Sequence, residues 1–218
     1  HHWIKENYKA TLIAMVVSIV GLIIILPNLS PEILIWLAPA GIISMGYTVP
    51  LIPHNSKWIR IRDIPLVKPF VIAFVVSYLT YSFPILDQKG AETILNSGHL
   101  AGLFDRFLFV LIVTIPFEVR DLESDRSAKL KTIATTLGVL KSKLLSIGLT
   151  LIWAIVATIN IDFVPWRMIG VIILSAMLVF ALLKLDRLRG ELAYALVFEG
   201  LIIVYALIYS VLSVFGFS

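Results

Sequence analysis

No cysteine occurs anywhere in the 218 residues, and charged side chains are scarce. Without thiols the chain cannot form a disulfide framework, a thiolate nucleophile or a sulfur-ligated metal centre. Asp, Glu, Lys and Arg make up only 15% of the sequence, against 59% apolar residues and a mean hydropathy of +0.97. Soluble domains carry roughly 25% charged residues, so a water-soluble globule is excluded. Internal repeats, low-complexity tracts and a polar domain are also missing, and residues 1–218 read as one domain. The four histidines, His1, His2, His54 and His99, show no metal-ligand spacing and are expected in solvated positions.

What the chain has is long apolar runs. A membrane-crossing helix needs about 20 mostly apolar residues. Seven stretches qualify: about 9–27, 31–51, 66–86, 101–118, 142–161, 166–184 and 192–216. A transmembrane barrel would alternate polar and apolar residues. VVSIVGLIIIL and LIWAIVATINI are instead apolar on both parities. The predicted fold is therefore an all-α, polytopic transmembrane bundle.

The basic residues orient it. Of 18 lysines and arginines, all but Lys89, Arg106 and Arg167 fall on one set of alternate loops. By the positive-inside rule these loops, 51–66, 118–142 and 184–191, and the N-terminus are cytoplasmic. The outer connectors NLSPE and DFVP are short turns, and LDQKGAETILNSGHL has room for one short interfacial helical turn. Asp105 and Arg106, near the outer end of the fourth span, are expected to snorkel as an interface pair. Glu199, well inside the last span, costs about 2.5 to 3.5 kcal/mol there unless it is protonated, paired or facing a polar cavity.

Two inner loops exceed the usual 2 to 8 residues of a helix connection. The second, EVRDLESDRSAKLKTIATTLG at 118–138, packs four carboxylates and an arginine into the eight positions from Glu118 to Asp125, with Glu123 pointing away from the other three. At about 100° per residue, Glu118, Asp121 and Asp125 share one face spanning roughly 60°. Such a row is self-repelling. Magnesium would relieve it, since that ion takes one or two protein carboxylates and completes its octahedron with water and substrate phosphate oxygens. Arg126, Lys129 and Lys131 stand ready for those phosphates. The first inner loop carries Lys57, Arg60, Arg62 and Lys68 after YTVPLIP at 47–53. Without a ligand, both loops read as solvated topology anchors.

The order RDLESDRSAKLKTIATTLG resembles the second aspartate motif of the UbiA-type intramembrane prenyltransferases, D-x-x-x-D followed by Lys-Thr and Leu-Gly. Asp121 and Asp125 match the aspartates, Lys131 and Thr132 the Lys-Thr pair, and Leu137 and Gly138 the close. Lys129 stands where family members often have glycine, and it is expected to stiffen the turn. The stretch 47–68 resembles the family's basic loop. The resemblance implies that the seven spans are helices three to nine of a nine-helix fold. The family's first aspartate motif, N-D-x-x-D, would precede Trp3, and the start at His1 rather than Met leads us to expect it upstream.

This resemblance implies transfer of a polyprenyl group from a prenyl diphosphate to an aromatic or other lipophilic acceptor. The implied site has Asp121, Asp125 and Glu118 on magnesium, and Lys57, Arg62, Lys68, Arg126 and Lys131 on the diphosphate. Tyr47, Tyr78 and Glu199 are candidates for the cavity, with Tyr81 and Trp153 as further ring faces for an allylic cation. The implied setting is a bacterial inner membrane, with no nucleic-acid partner. The alternative is a non-catalytic or transporter-like bundle, although the inverted repeat common in transporters is not apparent.

Overall fold

The computed structural model describes residues 7–54, 57–160, 165–188 and 190–214. His1, His2, Lys5 and Arg189 lie outside the described residues, as do the side chains of His54, Lys57, Arg167 and Arg187. Helices dominate, as the two-sided apolar runs demand. Five of them are long and apolar enough to cross a membrane: Tyr8–Asn28, Lys68–Leu86, Ser97–Arg120, Ile133–Ile159 and Glu191–Ile208. The two other expected spans fall on Pro31–Thr48 and Pro165–Leu183, which are helical but stand outside that set.

The chain divides into two compact units, one reaching Pro39 and the other starting at Ala40. The first holds α1 (Tyr8–Ile25), extended by a 3-10 turn at Leu26–Asn28, and the start of α2 (Pro31–Thr48). No residue of α1 is buried, and its apolar residues run all the way round. Such a helix is suited to lipid contact. Ser30 opens α2 by accepting the Ile33 N–H at 3.2 Å. The division falls at Pro39, whose ring cannot donate to the helix ladder.

The second unit begins with the remainder of α2 and a small antiparallel hairpin, β1 (Ile52–His54) and β2 (Lys57–Ile59), within the expected loop 51–66. Next comes α3 (Lys68–Ser77), which runs through a π-helical segment at Tyr78–Ser82 into α4 (Phe83–Lys89). A 3-10 turn at Ala91–Thr93 supplies the short helical turn expected in the connector between Asp87 and Leu100. The central element is α5 (Ser97–Arg120), capped by Asn96 Oδ1, which accepts the Gly98 N–H at 3.1 Å. The chain continues through α6 (Leu122–Ser127), α7 (Ile133–Asn160), α8 (Pro165–Leu183), the short α9 (Glu191–Tyr194), a second π segment at Ala195–Glu199, and α10 (Gly200–Val214).

Helix α5 packs against α3 and α7, α7 packs against α8, and α8 packs against α10. Between helices in lipid the attraction is close packing and interhelical polar contact rather than escape from water. Both occur here. Phe109, Trp153 and Tyr205 pack as rings, with centroids 5.1 Å apart for Phe109 and Trp153 and 4.4 Å for Phe109 and Tyr205. At Gly102, any Cβ would overlap the Tyr81 hydroxyl, so only glycine lets α5 approach the π segment.

Candidate functional site

The two charged inner connectors meet. Leu66 donates its backbone N–H to Lys131 O at 2.9 Å, and Lys68 Nζ lies 3.7 Å from Asp125 Oδ2. The backbone there is strained. Among the described residues the non-glycine positions with positive φ are Leu66 (64°) and Lys129 (55°), one on each connector. An L-residue in that region costs roughly 1–2 kcal/mol, and the cost is accepted where the surrounding structure over-determines the conformation.

Lys129 shows how. The Leu130 N–H bonds to Asp125 O at 2.9 Å, and the Lys129 N–H to Arg126 O at 3.1 Å. This pair is the Schellman closure of α6, whose left-handed position is usually glycine. Lysine therefore occupies a left-handed position that glycine usually fills in such closures. Gly138 is also left-handed (φ 78°) and kinks α7 after its first turn.

The shared face expected for Glu118, Asp121 and Asp125 does not form, because the chain leaves helical geometry at Asp121 (φ −85°, ψ 4°) between α5 and α6. A constant 100° step holds only within one helix. Asp121 turns to its neighbour, and Arg120 donates to its two oxygens at 2.8 and 3.2 Å. Glu118 and Asp125 instead come within electrostatic range of each other and of Lys68. Glu118 is 1% exposed and accepts the Ile133 N–H at 2.8 Å, a carboxylate at the positive end of α7. Its second oxygen has no partner, since the Ala134 amide stops short of hydrogen-bonding geometry. Asp125 is likewise buried, and its Oδ2 meets only the Lys68 ammonium.

Thr132 and Thr135 complete the start of α7 with a reciprocal box. The Thr132 N–H donates to Thr135 Oγ1 at 2.8 Å, and the Thr135 N–H donates to Thr132 Oγ1 at 3.2 Å. The Lys-Thr pair thus has a structural task in the backbone, with Lys131 O holding Leu66 and Thr132 capping the helix.

Of the expected phosphate-binding cations, Lys68 is at the centre. Arg62 lies 4.0 Å from Asp63 Oδ1, and Arg126 and Lys131 are exposed. Arg60 donates from Nε and a terminal nitrogen to Asp63 at 3.0 and 3.2 Å, and this bond holds the Asp63 carboxyl below its ordinary pKa. Tyr47 is half-buried within electrostatic reach of Arg62, Asp125 and Glu118. With Ser44, Thr48, Val71, Ile72, Val75 and Val76 it lines a cavity of about 280 Å³. Tyr78 is buried between Phe74 and Phe83, and Trp153 is buried in the ring cluster. Glu199 is exposed on its π segment rather than enclosed in a polar cavity, and its charge acts on Arg120.

Other polar residues are not where the sequence reading put them. His99 is buried, not solvated: its Nε2 lies 3.1 Å from Ser82 Oγ and its ring 5.1 Å from that of Tyr81. Asp105 does not snorkel. It is 6% exposed and accepts the Tyr205 hydroxyl at 2.8 Å, with Arg106 stacked 4.3 Å over the same ring. Trp153 Nε1 points at this carboxylate without reaching hydrogen-bonding geometry. The signal that could have located this cluster was a tyrosine on the last span, 100 residues away in the chain.

Magnesium takes hard carboxylate oxygens, which Glu118 and Asp125 offer, each with a buried atom lacking a hydrogen-bond partner among the described residues, whereas Asp121 is bound to Arg120. Among the described residues, no group of three or more His, Asp or Glu side chains is arranged to hold a metal. Compared with known family profiles, characterised proteins and solved structures, the chain matches none.

Proposed function

We propose that the chain is an intramembrane prenyltransferase that takes a prenyl diphosphate at the meeting point of its two inner connectors. The observation that carries this reading is the pairing of Lys68 with Asp125 under the Leu66-to-Lys131 backbone bond. It brings together a cation from one connector and a carboxylate from the other, within electrostatic reach of Tyr47, which lines a mostly apolar cavity.

The chemistry follows from those residues. Lys68 binds a diphosphate oxygen, with Arg62, Arg126 and Lys131 close enough in sequence to add further charge as the leaving group departs. The cavity beside Tyr47 receives the first isoprenoid units and keeps water from the reacting carbon. The allylic carbon–oxygen bond breaks with its electrons going to the diphosphate. A bond then forms between that carbon and the acceptor, which gives up a proton. Magnesium held by Asp125 and Glu118 would supply Lewis-acid stabilisation of the departing diphosphate. The same reading takes Pro31–Thr48 and Pro165–Leu183 as two further spans, making seven in a bacterial inner membrane.

The test is magnesium-dependent binding of a short prenyl diphosphate by calorimetry on the full chain. Asp125→Asn is expected to weaken it at least tenfold, the scale of one lost charged contact. Asp121→Asn is expected to weaken it less, because Asp121 must first release Arg120. Equal affinity in wild type and Asp125→Asn would remove the enzyme reading. The buried Asp105 and Tyr205 pair favours a second reading, a transporter-like bundle, since ionisable groups inside membranes commonly mark transport paths. Solute movement in liposomes without diphosphate consumption would support it.

A further inference from the structure

Away from the connector residues, α8, the π segment at Ala195–Glu199 and the start of α10 line a groove of about 450 Å³. Its walls are apolar, among them Phe180, Leu196, Leu201 and Val204, and one charged side chain, Lys184, stands in its lining. The volume falls within the usual range for a small-molecule site. Gly200 forms part of the wall, and a Cβ there would meet nothing within 4 Å, so space remains beside the backbone.

Among the described residues no carboxylate pairs with the charge at this groove. The nearest acid in the sequence, Asp186, is already taken: Lys143 Nζ binds its Oδ2 at 2.8 Å and Leu183 O at 3.2 Å. Lys184 has no carboxylate partner among the described residues, and its ammonium lies 5.8 Å from the Phe180 ring centroid. Lys143 also ties this turn to the first part of α7, so the groove opens at the end of the bundle where the inner connectors lie. Phe180 and Leu196 are largely exposed on the outer surface of the helices, where lipid chains lie.

We infer that this groove holds an anionic phospholipid of the surrounding bilayer, one acyl chain along the apolar wall and the phosphate at Lys184. An apolar slot ending in an unpaired ammonium is complementary to an amphiphile with a negative head. Basic sites between spans on the cytoplasmic side recognise such headgroups. This inference is independent of the prenyltransferase reading, since none of its residues belongs to the connector site.

The experiment is native mass spectrometry of the full chain taken from vesicles with equal amounts of phosphatidylglycerol and phosphatidylcholine. Wild type should retain the anionic lipid over the neutral one by about fivefold, the scale of one lysine near a membrane surface. Lys184→Gln should bring that ratio close to one, while Lys89→Gln, at the other end of the bundle, should leave it unchanged. Gly200→Leu should lower retention of both lipids by filling the groove. Three results would overturn the inference: equal retention in wild type, a ratio indifferent to Lys184→Gln, or displacement of the lipid by a short prenyl diphosphate or by a second copy of the chain.

Discussion

Helix α5 carries two buried carboxylates, Glu118 in its last turn and Asp105 more than two turns inside its start, and they are held by different kinds of partner. At the inner end Glu118 bonds to a backbone amide, Ile133 N–H, and shares its surroundings with Asp125 and Lys68 from the connectors. Toward the outer end Asp105 bonds to the side chain of Tyr205 on α10, beneath the Arg106 guanidinium. The inner cluster thus depends on loop backbone in left-handed conformations and on one ion pair of 3.7 Å. The outer cluster is built from the packed helices themselves.

Stability measurements can break this contrast. Asp105→Leu strips the buried Tyr205 hydroxyl of its acceptor and removes the charge near Arg106, and it is expected to destabilise by about 2 kcal/mol. Glu118→Gln keeps an acceptor for Ile133 and loses only the charge at the helix end, about 0.5 kcal/mol. Unfolding of the purified protein in bicelles would compare them. Equal losses would mean that both clusters are structural to the same degree.

A smaller effect is expected at Lys129. Because it occupies the left-handed position of a Schellman closure, Lys129→Gly should stabilise by up to about 1 kcal/mol. The same unfolding assay should show the midpoint rising. A fall would mean that the lysine side chain contributes more than its backbone costs.

The smallest effect concerns pH. Arg60 holds the Asp63 carboxyl below its ordinary value. Its stabilisation is therefore complete above the unfolded carboxylate range and is lost as pH falls through the lower folded value. Between pH 6 and pH 3, Asp63→Asn should flatten the acid side of the stability curve slightly. An unchanged curve would show that the Arg60 pair contributes nothing measurable.

The membrane-helical character was legible because apolar runs of this length leave the backbone few ways to satisfy itself in lipid. The importance of the inner loops was legible too, from their length and charge. Their internal geometry was not. The break at Asp121 carries no glycine or proline to announce it; Pro116 sits one turn earlier, and the chain leaves the helix only where Arg120 can reach the aspartate side chain. His99 reads as loop because it follows Asn-Ser-Gly, yet those residues cap α5 and place the ring against Ser82. Asp105 and Arg106 read as an interface pair because their partner, Tyr205, is remote in the chain.

Composition and hydrophobic run length alone determined that this protein is helical and membrane-bound, because those properties depend on transfer of whole segments into lipid. The order of charges along the chain marked which loops to watch. Only tertiary structure decided which charges meet. Asp125 goes to Lys68 and Asp105 to Tyr205, since an ion pair or hydrogen bond is set by a few ångströms in space and helix packing supplies them, while Asp121 turns to its own neighbour Arg120 where the helix breaks.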